Sequence, residues 1–505
     1  MAHEHVAAVD MGSNSFRLQV GRIVGNQIYP LDGIKETVRL AAGLTPDKRL
    51  DAAAQERGLT ALARFGERLR GFAPDAVRVV ATNTLRVAKN GPEFLARGEE
   101  VLGFPIEVIA GREEARLIYL GVAHTVPNRR ARQLVVDIGG GSTEFIIGRN
   151  IKPLHLESLY MGCVSYSLRF FPEGHIDKRR MKDAELAAQR ELQTIVHTYR
   201  ATGWDVAIGS SGTAKAICEL LEFNGFAKGN ITRDGLDKLR SRLIVAGHAG
   251  KTALEGMRSD RIPVIPGGVA IMSAVFKEFG LEEMVFSEGA LRLGVLYDLL
   301  GRYHHDDLRE ATVSRFMQRY EVDRRQAARV ATSALEFYQQ LRPQDDIEES
   351  MPALFLAWAA RLHEIGVSIA HTSYHKHSAY VLANADMPGF SRRDQDLLAR
   401  LVLAHRGRLE RVRMLTRQQQ RDNPECDPEW FLIFCLRTAA LLHRARDDAA
   451  LPDMGVRASP RCFELQIDRA WLSAAPLTAA VLDEEVQQWA SVGIDFKVRG
   501  LRAAA

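Results

Sequence analysis

Two short stretches of this chain repeat one another, and that repetition limits the fold more than any other feature. Val6–Val9 is an apolar run ending in Asp10-Met-Gly12-Ser13-Asn14-Ser15, followed by the alternating Phe16, Leu18 and Val20. Leu134–Val136 ends in Asp137-Ile-Gly139-Gly140-Gly141-Ser142, followed by Phe145-Ile-Ile147. Each copy predicts a strand, an Asp-x-Gly turn and a second strand, with a serine five residues beyond the aspartate. Glycine permits positive φ and close backbone approach in such turns. Two matching hairpins imply a duplicated α/β core with a cleft between its halves.

The rest of the first 300 residues fits that core. Ala52–Gly71 predicts an amphipathic helix, Val77–Ala81 a strand, Thr84–Lys89 the start of a helix, and Ile106–Ile109 a strand leading through Gly111-Arg-Glu-Glu114 into another helix. Val206–Ile208 ends in Gly209-Ser-Ser-Gly212-Thr213, and Met284–Phe286 ends in Ser287-Glu-Gly289, each before a helix. Strands that stop at small-residue turns before helices place ligands at the carboxyl ends of the strands. After about residue 305 helical periodicity takes over, through Ala327–Leu341, Ala353–Ile365, Asp394–Ala404 and Glu429–Arg444. The expected divisions are a first lobe over 1–120, a second lobe over 121–304, a helical domain over 305–450 and a small α+β module over 451–505.

The turns suggest chemistry. Backbone N–H groups and hydroxyls of a glycine-rich turn can cradle phosphate, and two aspartates facing one cleft can hold Mg²⁺, which takes one or two carboxylates plus phosphate oxygens. A plain hairpin turn explains one copy as well; two copies in matching register favour a phosphate cleft. Neither turn has the Gly-Lys-Ser/Thr of a P-loop or the spacing of a dinucleotide fingerprint. A glutamate of Gly111-Arg-Glu-Glu114, at the start of a helix just past a strand end, could orient an attacking water, although acids also favour a first helical turn for its dipole alone. Arg86 and Arg261 could fork onto phosphate or be ordinary surface arginines.

Composition sets outer limits. The 505 residues exceed one compact core, and 46% hydrophobic with 26% charged residues describes an ordered globular chain. A net charge of only +4 gives no sign of a nucleic-acid partner. Five scattered cysteines without metal-type spacing suggest reduced thiols in a cytoplasmic protein. No apolar stretch is long enough to cross a membrane, which leaves peripheral association open.

Taken in order, Ala8–Phe16, Ala81-Thr-Asn-Thr-Leu-Arg86, Gly111–Ile118, Val136–Glu144, Met161-Gly-Cys-Val164, Gly209–Thr213 and Gly289-Ala-Leu-Arg-Leu-Gly294 resemble the exopolyphosphatase/guanosine pentaphosphate phosphatase family over nearly the whole chain. The resemblance implies a duplicated actin-like (sugar kinase–Hsp70–actin) α/β core followed by an α-helical HD-like domain. It implies Glu114 as the catalytic glutamate, Asp10 and Asp137 as Mg²⁺-associated acids with Glu144 a further metal or water contact, and Mn²⁺ as a stand-in. Ser13, Asn14, Ser15, Gly139, Gly140, Gly141 and Ser142 match the phosphate turns, Gly212 and Thr213 a small-residue turn opposite, and Arg86 a phosphate contact. Arg17 and Arg261 would meet polyphosphate or nucleotide. The activity implied is processive removal of the terminal phosphate of inorganic polyphosphate, with guanosine pentaphosphate (pppGpp) as the alternative or second substrate; a homodimer is also implied. Some pentaphosphate phosphatases carry Gly-Gly-Ala-Ser where this chain has Gly-Gly-Gly-Ser, and His375–Tyr380 with Met387–Phe390 looks more like the exopolyphosphatase branch. An ATP-dependent kinase or a nucleotide sensor of the same fold shares the two turns and stays a remoter reading.

Two features lie outside the cleft. His363-Glu364 stands where an HD module has a His-Asp metal pair, and the glutamate departs from that pattern; His371, His375 and His377 fall on a stretch expected to be irregular. Arg406, Arg408, Arg411, Arg413, Arg417 and Arg421 face a single acid, Glu410. That run, Arg408, Arg411 and Arg413 above all, is either a solvated face or a track for a long anion, whose grip would weaken with salt.

Overall fold

A computed structural model describes residues 3–24, 27–126, 130–303, 308–345, 350–410, 412, 428–448 and 451–501. The chain forms two compact units, Met1–Asp307 and Leu308–Ala505.

In the first unit, β1 (His5–Met11), β2 (Phe16–Val24), β3 (Gln27–Glu36), β4 (Val77–Ala81) and β5 (Ile106–Val108) form a sheet of order β3-β2-β1-β4-β5. The first three strands run antiparallel, and β4 and β5 continue parallel to β1. The second sheet repeats the pattern with β6 (Arg132–Ile138), β7 (Thr143–Arg149), β8 (Lys152–Leu159), β9 (Val206–Ser210) and β11 (Glu283–Phe286), and adds β10 (Asn230–Thr232) at its edge. This is the duplicated actin-like core the repeat implied. Asp10 pairs across its hairpin with Arg17, and Asp137, at the matching place, with Glu144.

Helices cover both faces, so the inner strands read as continuous apolar runs. Ala7, Val9 and Met11 pack against α1 (Ala52–Arg68) and α3 (Gly91–Leu102), beyond the short α2 (Asn83–Val87). The alternate residues Val6 and Ala8 share one core with Val135 and Ile146 of the other sheet, through Leu117 and Val122 of α4 (Gly111–Ala123) and Val295 and Leu299 of α10 (Leu291–Tyr303). The opposite face of the second sheet is closed by α5 (Cys163–Phe170), α6 (Lys178–Thr202) and α9 (Ile265–Phe279), while α7 (Ser211–Phe223) follows β9 and α8 (Arg233–Ala246) follows β10.

Two expected boundaries shift. The helix placed at the end of the second lobe, α10, belongs to the layer shared by both sheets, because its apolar side packs on α4 and β1. The contact is close: a Cβ on Gly294 would lie 1.7 Å from the Leu117 carbonyl oxygen, and one on Gly121 2.3 Å from the Ala290 oxygen. In the second unit, residues 451–505 were expected as a separate module. Instead Phe463 and Phe496 of the sheet β12-β13-β14 (Gly455–Ser459, Cys462–Asp468, Asp495–Leu501) close the same core as the helices. Phe434, on the helix Pro428–Leu442, stacks on Phe463 with centroids 4.4 Å apart and meets Phe496 edge-on. The stretch expected to be irregular around the histidines is partly a helix, Tyr374–Asn384, which carries His375 and His377. No helix among the described residues is long and apolar enough to cross a membrane, and Cys163, Cys218, Cys435 and Cys462 are free thiols.

Because the Leu117 carbonyl is backbone and cannot swing aside, Gly294→Ala forces α4 and α10 apart. The expected destabilisation is at the upper end of overpacking, about 3 kcal/mol, read as a lower urea midpoint. A midpoint unchanged from the parent protein would show that this helix contact is not close in solution.

Candidate active site

The carboxyl ends of β1 and β6 bring the two Asp-x-Gly turns to one cleft of about 290 Å³. They touch there: a Cβ on Gly140 would lie 2.9 Å from the Ser13 Cβ and 3.2 Å from the Asn14 nitrogen. Each turn is tied to its own lobe. Ser13 Oγ accepts a hydrogen bond from Thr84 Oγ1 at 2.7 Å. Ile138 O, next to Asp137, accepts from Thr213 Oγ1 at 2.8 Å and from Ser211 Oγ at 3.1 Å. Gly139 O and Gly140 O receive the first backbone N–H groups of α5.

Asp10, Ser13, Asn14, Ser15, Arg17, Asp137, Gly139, Gly140, Ser142, Glu144, Gly212, Thr213, Arg261 and Glu114 all line this one space, as the residues matched by resemblance require. Gly212 and Thr213 do so from the first turn of α7 rather than from a loop, and Arg261 lies against Gly212, where any Cβ would strike its guanidinium. Two residues stand differently. Gly141 packs on Asn83 behind the wall, where a Cβ would be 2.6 Å from Oδ1. Arg86, expected to contact a phosphate, does not line the cleft itself; its Nη1 donates to Ile109 O at 2.7 Å and to Glu114 Oε2 at 3.3 Å, which sets it beside the glutamate. Of the basic run, Arg408 is in the second unit, and Arg411 and Arg413 lie outside the described residues.

Besides Glu288, which is exposed at the rim, four carboxylates meet in the cleft, and their environment disfavours charge. Burial pushes Glu114 up to about 7; Arg86 opposes the rise, and Asp10 and Asp137 add to it. Burial likewise carries Asp137 up to about 6 against hydrogen bonds from Ser210 and Ser211. Glu144 is held well above the usual carboxylate range by burial and then by Glu114 and Asp137, although Ser158 donates to it at 2.8 Å. Asp10 is raised by burial, with Arg292 and Arg17 pulling it back.

Among the described residues no three His, Cys, Asp or Glu side chains form a ready metal cage. The donor set still fits Mg²⁺, which asks for few protein ligands. Asp137 and Glu144 are buried acids placed directly opposite across the β6–β7 hairpin, a pairing that is unfavourable without a cation. Asn14 Oδ1, on the same wall, is a buried acceptor with no hydrogen-bond partner.

The sequence reading missed Arg292, Lys215, Ser211 and Glu288, which also line the cleft. Arg292 was within sight, inside the Gly289–Gly294 segment. Its guanidinium, Arg17 and Arg261 converge on the cleft from three elements, and burial followed by Arg292 lowers Arg17 to about 10.

Residues 19–303 match the Ppx/GppA phosphatase family and residues 308–486 match Ppx/GppA phosphatase, domain III. The chain is 37% identical over 492 residues to the guanosine-5'-triphosphate,3'-diphosphate pyrophosphatase of Aeromonas hydrophila, spanning 96% of this chain and 97% of that one. It is similar to the crystal structure of an exopolyphosphatase from Cytophaga hutchinsonii, with TM-score 0.54 and 26% identity over 59% of this chain and 97% of the other. The Ppx/GppA protein of Aquifex aeolicus gives TM-score 0.50 and 25% identity, with 60% and 99% covered.

A carboxyl group raised on folding favours the folded state most below its ordinary value, and that contribution fades as pH rises through the raised one. For Glu114 the window runs from 4.5 to about 7. The thermal midpoint of chelator-treated protein should therefore fall across this range, and Glu114→Gln should flatten the fall. Parallel curves for the two proteins would show that Glu114 is not held in a desolvated, acid-crowded cleft.

Proposed function

Because the chain belongs to the Ppx/GppA phosphatase family, we propose that it removes the terminal phosphate of linear phosphoanhydride chains, with water as acceptor and Glu114 as the base. The observation that carries this reading is the placement of Glu114. It is a buried carboxylate poised near neutrality, steadied by Arg86 and open to the space between the two phosphate turns. A base works best when its pKa lies near the working pH.

Substrate enters with its terminal phosphate between the turns, where Ser13, Asn14, Gly139 and Gly140 offer hydroxyl and backbone donors. Arg17, Arg261 and Arg292 face the remaining negative charge. Glu114 accepts a proton as the water oxygen bonds to the terminal phosphorus. The bridging P–O bond breaks, releasing orthophosphate and a chain one unit shorter. Asp10, Asp137 and Glu144 would hold Mg²⁺, or Mn²⁺ in its place, and the ion would supply neutralisation of the phosphoryl charge.

Inorganic polyphosphate is the first substrate proposed. Support comes from the exopolyphosphatase resemblance of the motifs and from the likeness of 59% of the chain to the Cytophaga exopolyphosphatase. A second substrate, pppGpp, is favoured by a specific observation, the full-length identity to a relative named for hydrolysing it.

Phosphate release from long-chain polyphosphate, with no nucleotide or acceptor present, is the deciding assay, run beside pppGpp under the same conditions. Release from neither would point to a kinase-like or sensing role. Glu114→Gln should lower turnover by at least ~10²-fold with little change in KM. In the parent protein, kcat/KM should fall as pH drops below about 7, and more Mg²⁺ should move that limb to lower pH by competing with protons. Near-normal turnover by the Glu114→Gln protein would remove Glu114 from the chemistry.

A further inference from the structure

Behind the cleft, five charged side chains form a continuous network away from bulk water. Arg78 on β4 donates to Asp298 Oδ2 of α10 at 2.6 Å and to Glu107 Oε2 of β5 at 3.0 Å. Arg116 on α4 grips Glu113 through two hydrogen bonds of 2.8 Å and reaches Asp298 Oδ1 at 2.5 Å. Arg78, Glu113, Arg116 and Asp298 are all buried. Asp298 is the hub: one carboxylate ties a strand of the first sheet to both helices of the shared layer.

Stability alone is a weak reason for such a cluster, since buried ion pairs repay their desolvation poorly and apolar replacements often do as well. Geometry is a better reason. The α4–α10 contact closes on glycines, which set how near the helices come, and apolar side chains such as Leu117, Val122, Val295 and Leu299 pack around it. The start of α4 has no side-chain cap; its N-cap residue is Ala110. Apolar packing holds α4 along its length, and near its first turn the ion pairs of Arg116 with Glu113 and Asp298 add the directionality that apolar contacts lack. Glu113 and Glu114 are neighbours in its first turn, one facing the network and the other the cleft. With a carboxylate roughly 6 Å from the helix axis, a turn of about 10° moves it by ~1 Å, a displacement that can cost ~10²-fold in rate.

We propose that Asp298, acting through Arg116 and Glu113, is a positioning residue that sets the rotation of α4 and so aims Glu114 at the attacking water. This rests on Glu114 being the base. The network touches neither substrate nor metal; it decides where the base points.

The experiment is a double-mutant cycle on the full chain with polyphosphate and pppGpp. Asp298→Asn removes the charge that holds both arginines and nearly keeps the shape. Assayed well below its own unfolding temperature, it should lose at least ~10-fold in kcat with KM within about two-fold. In a Glu114→Gln background the same change should cost almost nothing further, because a base that is gone cannot be misaimed. Losses that multiply across the cycle, or an Asp298→Asn protein that is less stable yet turns over normally, would overturn the proposal. Failure of the reading beneath it looks different, since Glu114→Gln alone would then keep its activity. Should Asp298→Asn not fold, Glu113→Gln, which still offers Arg116 an amide oxygen, carries the same cycle and should give a smaller loss with the same dependence on Glu114.

Discussion

The contact between the two Asp-x-Gly turns governs the first unit. Gly140 lies so close to Ser13 and Asn14 that no side chain could stand between them. The carboxyl ends of two separate sheets can meet this way only if both hairpins end at equivalent places, and the cross-strand pairs Asp10–Arg17 and Asp137–Glu144 show that they do. The duplication thus gives the site its geometry, and divergence gives it chemistry. One copy sets an arginine beside its aspartate and the other a second acid, so the cleft has a side suited to anions and a side short of a cation.

Around that contact, forces of different kinds share the work. Apolar packing in the layer of α4 and α10 holds the sheets at a fixed distance. Hydrogen bonds from Thr84, Ser211 and Thr213 tether the turns to the strand ends beside them. Burial then makes the carboxylates expensive to charge. That expense suits phosphoryl chemistry, where a proton is to be taken up and a highly charged substrate must find a site not already saturated with its own sign.

Much of this was legible from residues alone, and the limits have physical causes. The hairpins and the strand ends at Ala81 and Phe286 follow from local signals: glycine at tight turns, apolar runs, small residues before helices; β9 runs two residues past the expected end at Ile208, and the grouping of site residues was implied by the family resemblance instead. The helices α6 and α9, central to the second lobe, were passed over because the reading followed turns rather than long amphipathic stretches. Arg86 looked like a phosphate ligand because sequence shows that an arginine is near a strand end, not which neighbour takes its guanidinium. Arg292 was missed although its segment was noted, since a helix-borne arginine has no local mark of facing a cleft. Neither could spacing show that Glu113, Arg116 and Asp298 meet, as two of them are 182 residues apart. The C-terminal sheet was read as separate because Phe463 and Phe496 advertise burial without saying beside what.

That last misreading has a consequence for how the protein is made. The first unit ends at Asp307, so everything it needs has been synthesised while two fifths of the chain is still to come, and units of this kind generally fold as they emerge. The second unit has no such freedom. Its core is closed by Phe496, on the strand Asp495–Leu501, which follows every other element of the unit. Since β14 pairs parallel with β13, it must arrive by a crossover and cannot simply zip on as a hairpin. Until β14 has been made, Phe434 and Trp489 lack a wall, and the helical unit waits half-built. A chain interrupted before β14 would hold a first unit whose core is already closed and a second unit with bared aromatic side chains that chaperones and proteases can recognise, so this one parallel strand commits the second unit to its fold.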